Sequence, residues 1–252
     1  MRVLLTAFGP FPGAPFNPSA KLVQTLARRR RPALANVDLS THVFATSYES
    51  VNRDLPKLLA QKPDIVLMFG LAGRTRQMRI ETRARNAVSV LFPDASRYRP
   101  RRGVIVPGGP RSFKGAAPFV RLLHAARKGA IPVRLSRDPG RYLCNYLYWR
   151  GLERAHNSRP LIQFIHIPSI GCTARPRRKN AQRSLTLERL ASASENVLIA
   201  LVAANHHRKS SLESAGGSRQ RKATVGEAQN HRYASVMPKK SKAPTHDAPL
   251  RF

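Results

Sequence analysis

The stretch Asp64-Ile-Val-Leu-Met-Phe-Gly70 constrains this chain more than any other feature: an unbroken apolar run closed by glycine reads as a strand buried on both faces. Such a strand needs a sheet covered by helices on each side. Residues 161–167, Leu-Ile-Gln-Phe-Ile-His-Ile, form a second run of the same kind.

The rest of the chain alternates in the way such a sheet requires. Residues 3–8 read as a first strand entering the Gly/Pro-rich loop Gly9-Pro10-Phe11-Pro12-Gly13. Asn17-Pro18-Ser19 then opens a helix that runs to the arginine cluster 28–31. Residues 37–46 suit a strand and 48–61 a helix, with Pro56 as a blemish. Short strands are expected within 78–90 and 103–106, a helix over 117–128, a strand over 131–135 and a helix over 142–155. A long amphipathic helix, 184–205, closes the unit. Strands alternating with helices predict an α/β fold around a largely parallel sheet. The domain is expected over 1–205. Residues 206–252 are rich in Ser, Lys, Arg, Gly, Pro and Ala, and predict a basic, disordered tail.

The hydrophobic share of 42% excludes a wholly disordered basic protein. The longest apolar runs are nine and eight residues, where a membrane span needs about twenty. The first residues lack a signal-peptide core. Two cysteines exclude a disulfide scaffold and fit a reducing, cytoplasmic setting. The net charge is +32, of which residues 206–252 carry +7 and residues 1–205 therefore +25. Arginine supplies 34 of the 45 basic residues. That field would attract nucleic acid or anionic surfaces. No nucleic-acid-binding motif accompanies it, so arginine spread over a solvated surface is the simpler account.

Three residues could carry chemistry. Cys144 lies in Gly140-Arg-Tyr-Leu-Cys-Asn-Tyr146, where a glycine turn opens a helix and the helix N-terminus favours a thiolate. Its plainer reading is a small buried hydrophobe. His166 stands near the C-terminal end of a buried strand, the end that faces the ligand crevice in parallel sheets. There it can take and return a proton; the plainer reading is a hydrogen-bonded core histidine. Glu81, in Arg79-Ile-Glu-Thr-Arg-Ala-Arg-Asn86, could hold the imidazole tautomer or merely pair with neighbouring arginines. The segment 8–13 lacks the lysine and spacing of a phosphate loop, and better suits an apolar wall from Phe8 and Phe11. Cys172 has no partner pattern, and His206-His207 lacks suitably spaced metal ligands.

Together these segments resemble the pyroglutamyl-peptidase I family of cysteine peptidases over residues 1–205. The resemblance rests on Thr6-Ala-Phe-Gly-Pro-Phe11 with Asn17-Pro-Ser19, on Gly70-Leu-Ala72 before Ile80-Glu-Thr-Arg-Ala-Arg-Asn86, on Ile105-Val-Pro-Gly108, on Tyr142-Leu-Cys-Asn-Tyr146 and on Phe164-Ile-His-Ile-Pro168. Glu81 and Cys144 are 63 residues apart, and His166 follows 22 later. The resemblance implies a three-layer α/β/α sandwich with a twisted, mostly parallel mixed sheet. It implies release of N-terminal 5-oxoproline from peptides with no cofactor and no metal. Cys144 would be the nucleophile, His166 the general base and acid, and Glu81 the orienting carboxylate. Phe8 and Phe11 would line a lactam pocket that Asn17 helps to shape. Family members tend to form dimers or tetramers.

The chain departs from the family's usual pattern at several places. Ala7 stands where Gly is usual, Ser89 replaces an acid, and Ile170-Gly-Cys-Thr173 replaces an aromatic after Pro168. Leu91 stands where familiar members carry an arginine ten residues beyond the glutamate. Two alternatives therefore accompany the peptidase reading. One is a related amidohydrolase acting on a different lactam or amide. The other is an inactive relative using its basic surface to bind nucleic acid.

Overall fold

A computed structural model of the chain describes residues 1–11, 14–155, 160–170 and 185–234, the last part beyond residue 211 as helical backbone alone. The chain divides into two units, Met1–His206 and His207–Phe252.

In the first unit a six-stranded sheet is built from β1 (Arg2–Phe8), β2 (Asp38–Phe44), β3 (Ile65–Leu71), β4 (Met78–Glu81), β7 (Val133–Ser136) and β8 (Leu161–Ile167). The order across the sheet is β2-β1-β3-β8-β4-β7. Four of its pairings are parallel, and β4 against β8 alone is antiparallel. A separate antiparallel ribbon joins β5 (Arg83–Arg85) to β6 (Ser112–Lys114). The helices are α1 (Pro18–Arg28), α2 (Tyr48–Ala60), α3 (Phe119–Arg127), α4 (Leu143–Ala155) and α5 (Leu187–Ala234).

Period-two alternation divides the strand side chains between two helical layers. Ile65, Leu67 and Phe69 of β3 join Leu161, Ile165 and Ile167 of β8 in one buried cluster with α1, α3 and α5. Val66, Met68, Ile162 and Phe164 point the other way and pack with α2 and α4. The fold is thus the three-layer α/β/α sandwich around a mixed sheet. On α5 the buried stripe Leu190, Ala191, Val197, Leu198, Leu201 and Val202 follows helical spacing and ends where the first unit ends.

Two expectations need correction. Residues 103–106 are not a strand. The Asn86 side chain replaces the missing ladder, its Oδ1 accepting from Ile105 N and Val106 N at 2.9 Å each and its Nδ2 donating to the Val106 carbonyl at 2.7 Å. The short strands expected within 78–90 are β4 and β5. The closing helix, expected to end at residue 205, continues as α5 to Ala234. Low apolar content forbids burial but not helix, and residues 206–234 contain no proline and many strong helix formers. Residues 235–252 lie outside the described residues, as do Cys172 and the basic run 175–179.

Candidate active site

The reversal of β4 brings two of the three candidate residues together. In the antiparallel register Arg79 faces His166 and Glu81 faces Phe164. Glu81 and His166 are therefore diagonal neighbours on one face. His166 Nδ1 donates to Glu81 Oε1 at 2.8 Å. A carboxylate can only accept here, so Nδ1 carries the proton and Nε2 of the neutral ring is left as an acceptor. Glu81 is wholly buried and His166 is 3% exposed. The backbone around Glu81 is fixed as well, because its carbonyl accepts from Tyr148 Oη at 3.1 Å and Gln163 Nε2 at 2.9 Å. Arg79 Nε lies 3.4 Å from Glu81 Oε1, an ion pair that offsets the carboxylate's desolvation.

Cys144 arrives at the start of α4, from the helical layer that covers this face of the sheet. Gly140 has φ +84, a left-handed turn that a side chain would strain. The first helical bond runs from Tyr146 N–H to the Tyr142 carbonyl at 3.0 Å. The N–H groups of Leu143, Cys144 and Asn145 thus precede the ladder, and the positive end of the helix meets the thiol. Asn145 clamps this end to the ribbon, with Oδ1 accepting from Arg85 N at 2.9 Å and Nδ2 donating to Arg85 O at 2.8 Å and Ala87 O at 2.7 Å.

Gly70 shows where the sulfur rests. A Cβ on Gly70 would lie 2.7 Å from Cys144 Sγ and 2.7 Å from Phe164 Cζ. Gly70 is also the register partner of His166 across the β3–β8 pair. The thiol therefore occupies the space over the sheet that glycine leaves open, one strand from the imidazole. The residue as a whole is half-buried, while its thiol is enclosed by the atoms around it.

Burial and then the Glu81 charge push the thiol up to about 12, while Arg79 and its own backbone N–H act in the opposite direction. Burial lowers His166, and its bond to Glu81 opposes that shift. Near neutral pH the resting pair is a thiol beside a neutral imidazole. This arrangement can pass a proton from sulfur to Nε2 as the sulfur attacks.

The remaining expected residues are distributed differently. Phe11 lines an open cleft of about 1140 Å³ together with Ala72, Arg79, Phe92 and Tyr142. Phe8 is buried in the α2/α4 layer, its ring 5.9 Å from that of Phe44. Asn17 caps α1, its Oδ1 accepting from Ser19 N at 3.1 Å and its Nδ2 donating to the Gly9 carbonyl at 3.1 Å. It also borders a second, mostly apolar cleft with Phe11 and Phe16. Leu91 is 72% exposed. Among the described residues no three His, Cys, Asp or Glu side chains gather as a metal site. Also among them, no helix is long and apolar enough to cross a membrane.

Arg79, Gly70, Gln163, Asn145 and Tyr148 do not stand out as functional in the sequence. A signal was present for three of them. Gln163 is a polar residue inside a buried run, Asn145 adjoins the cysteine, and Tyr148 sits four residues after it on the same helix face.

Comparison with known proteins gives a consistent picture. The sequence model of one family, described as pyroglutamyl peptidase, matches residues 1–207. The pyrrolidone-carboxylate peptidase of Vibrio vulnificus (strain YJ016) is 30% identical over 200 residues, covering 79% of this chain and 91% of that protein. Pyrrolidone-carboxylate peptidase 1 of Ralstonia nicotianae is 32% identical over 176 residues, covering 68% and 80%. The solved structure of pyroglutamyl peptidase I from Bacillus amyloliquefaciens superposes with a TM-score of 0.68 at 27% identity, covering 80% of this chain and 97% of that one.

Proposed function

The chain belongs to the pyroglutamyl peptidase family, and on that footing we propose that it removes N-terminal 5-oxoproline from peptides through Cys144, His166 and Glu81. The observation that carries this reading is the 2.8 Å bond between Glu81 and His166, formed one strand from the glycine that makes room for the Cys144 sulfur.

The chemistry follows from the geometry. His166 Nε2 takes the thiol proton as Cys144 Sγ attacks the exocyclic carbonyl that links the lactam residue to the next amino acid. Negative charge passes to the carbonyl oxygen. The Cys144 backbone N–H, free at the helix start, is placed to receive it. His166 returns the proton to the departing amine nitrogen as the C–N bond breaks, leaving a thioester. His166 then takes a proton from water, which attacks the thioester carbonyl, and the thiol leaves with that proton restored. Glu81 holds Nδ1–H throughout and stabilises the imidazolium formed in each half. Arg79 supplies a further positive charge beside the sulfur and the carboxylate.

The substrate is a pyroglutamyl peptide, whose uncharged ring offers no amine to grip. The lactam needs apolar surface, which Phe11 supplies, and a few amide hydrogen bonds. A free thiol as nucleophile suits a reducing, cytoplasmic setting. Self-association as a dimer or tetramer belongs to the same reading.

Hydrolysis of a chromogenic pyroglutamyl amide tests the assignment. Cys144→Ala abolishes release of the chromophore while leaving the melting temperature near that of the parent, and alkylation of the parent thiol does the same. Undiminished release by Cys144→Ala would refute the nucleophile.

A further inference from the structure

We infer that the cleft beside the triad receives the peptide that follows the pyroglutamyl residue and selects for carboxylates on its first side chains. This inference deepens the peptidase reading and rests on it. The cleft, about 1140 Å³, connects to the triad through Arg79, which touches Glu81, and Tyr142, which caps the helix of Cys144. The leaving peptide must depart from the carbonyl that the sulfur attacks, and Arg79 brings this cleft alongside the triad residue Glu81.

Its wall is cationic in a way that local sequence does not explain. Arg74 comes from the loop after β3, Arg79 from β4, Arg97 from the long loop after β5 and Arg134 from β7. Four arginines from four separate segments line one concavity. Arg79 is paired with Glu81. The side chains of Arg74, Arg97 and Arg134 have no hydrogen bond or ion pair to any described residue. Among the described residues that line the cleft, the one carboxylate, Asp94, does not neutralise them. It is buried, with Oδ2 accepting from Tyr48 N at 3.0 Å and Oδ1 accepting from Ser96 N and Tyr98 N at 2.9 Å each. Arg97 adopts φ 64, a left-handed conformation sparsely used by residues other than glycine. Exposed, unpaired donors of one sign favour ligands carrying carboxylates and reject cationic ones.

The test uses the full chain and C-terminally amidated peptides in which pyroglutamate is followed by two glutamates, two glutamines or two lysines. KM is expected to rise in that order, with about a tenfold span at low ionic strength that narrows at high salt, as for a few solvent-accessible charge pairs. The combined variant Arg74→Ala, Arg97→Asn, Arg134→Ala should lose the order and still hydrolyse a pyroglutamyl arylamide, which has no following residues, at the parent rate. Asparagine is chosen at 97 because it tolerates positive φ. A neutral peptide with a free C-terminus separates side-chain recognition from capture of the terminal carboxylate; if it behaves like the di-glutamate peptide, the side-chain claim falls. Equal KM for the glutamate and glutamine peptides overturns the inference, as does a preference that survives in the triple variant. Affinity of the same peptides for Cys144→Ala, read by fluorescence anisotropy, follows the same order whatever the turnover. Failure of arylamide hydrolysis refutes the peptidase reading, whereas loss of charge discrimination in both assays refutes this inference alone.

Discussion

A side chain at Gly70 would begin where the Cys144 sulfur already sits, so the residue beneath the thiol tolerates nothing larger than hydrogen. Gly70→Ala places a methyl group 2.7 Å from both Sγ and Phe164 Cζ. The sulfur or the ring must move, and overpacking of this kind costs about 1–3 kcal/mol. Misplacement of a nucleophile by about an ångström costs on the order of 10²-fold in rate. Turnover of the chromogenic amide should therefore fall much further than stability does. Gly73→Ala is the internal control, since its Cβ would meet only Ser169 Oγ at 3.4 Å. Parent-like kcat in Gly70→Ala would show that the sulfur works from another position. At the same scale, Leu91 and Arg79 differ in what surrounds them. Leu91 is exposed, whereas Arg79 lies against Glu81 and its charge opposes the rise of the Cys144 thiol. A cation stands near the triad here, delivered by β4 and not by the segment after it.

The elements explain why some of this was legible in the sequence and some was not. β3 and β8 announce themselves, because a strand covered on both faces must be apolar throughout and few other structures need that. The polar exceptions inside β8, Gln163 and His166, then point to specific work, and both side chains meet Glu81. The Glu81–His166 contact itself could not be read from periodicity. It depends on the antiparallel register of a four-residue strand, set by long-range pairing, and only the family resemblance joined the two residues. The loop 103–106 misled for a related reason, since Asn86 imitates a neighbouring strand with its side chain. Asn17 shows the opposite ambiguity: the motif around it was read as pocket-shaping, and its side chain is engaged in capping α1 and bracing Gly9. Asn17→Ala should lower stability by about 1 kcal/mol, typical of a lost N-cap. Asn17→Asp keeps the capping oxygen and should recover most of that loss. Thermal melts of the two variants, set beside KM for the pyroglutamyl amide, separate the roles. A KM that rises in both variants would give Asn17 a part in binding beyond the cap.

At the scale of the whole molecule, the buried titratable groups bound the pH range over which the fold is most stable. His166 is lowered from 6.5 by burial, so below pH 6.5 the unfolded chain binds a proton that the folded ring declines. Stability therefore falls as pH drops through that value and on toward the folded one. Glu195 adds a second acid loss at lower pH. Burial would raise it, but Arg31 and Arg29 together hold it below 4.5, and protonation removes those pairs. With 45 basic and 13 acidic residues, each carboxylate neutralised in acid also leaves more self-repulsion behind, which steepens this limb. On the alkaline side the sign reverses. The thiol of Cys144 is raised from 9.0 to about 12, and the hydroxyls of Tyr48 and Tyr148 are raised above 10.0, in each case first by burial. The unfolded chain releases these protons earlier than the folded one, so stability declines from about pH 9 upward. The thiol acts alone between 9.0 and 10.0, before the tyrosines contribute. Melting temperatures measured across pH should thus form a plateau from about 6.5 to 9, and Cys144→Ala should extend that plateau toward 10 while leaving the acid limb unchanged. An alkaline limb identical in parent and variant would mean that the sulfur is not held as a buried thiol, and that the resting site is instead a thiolate–imidazolium pair.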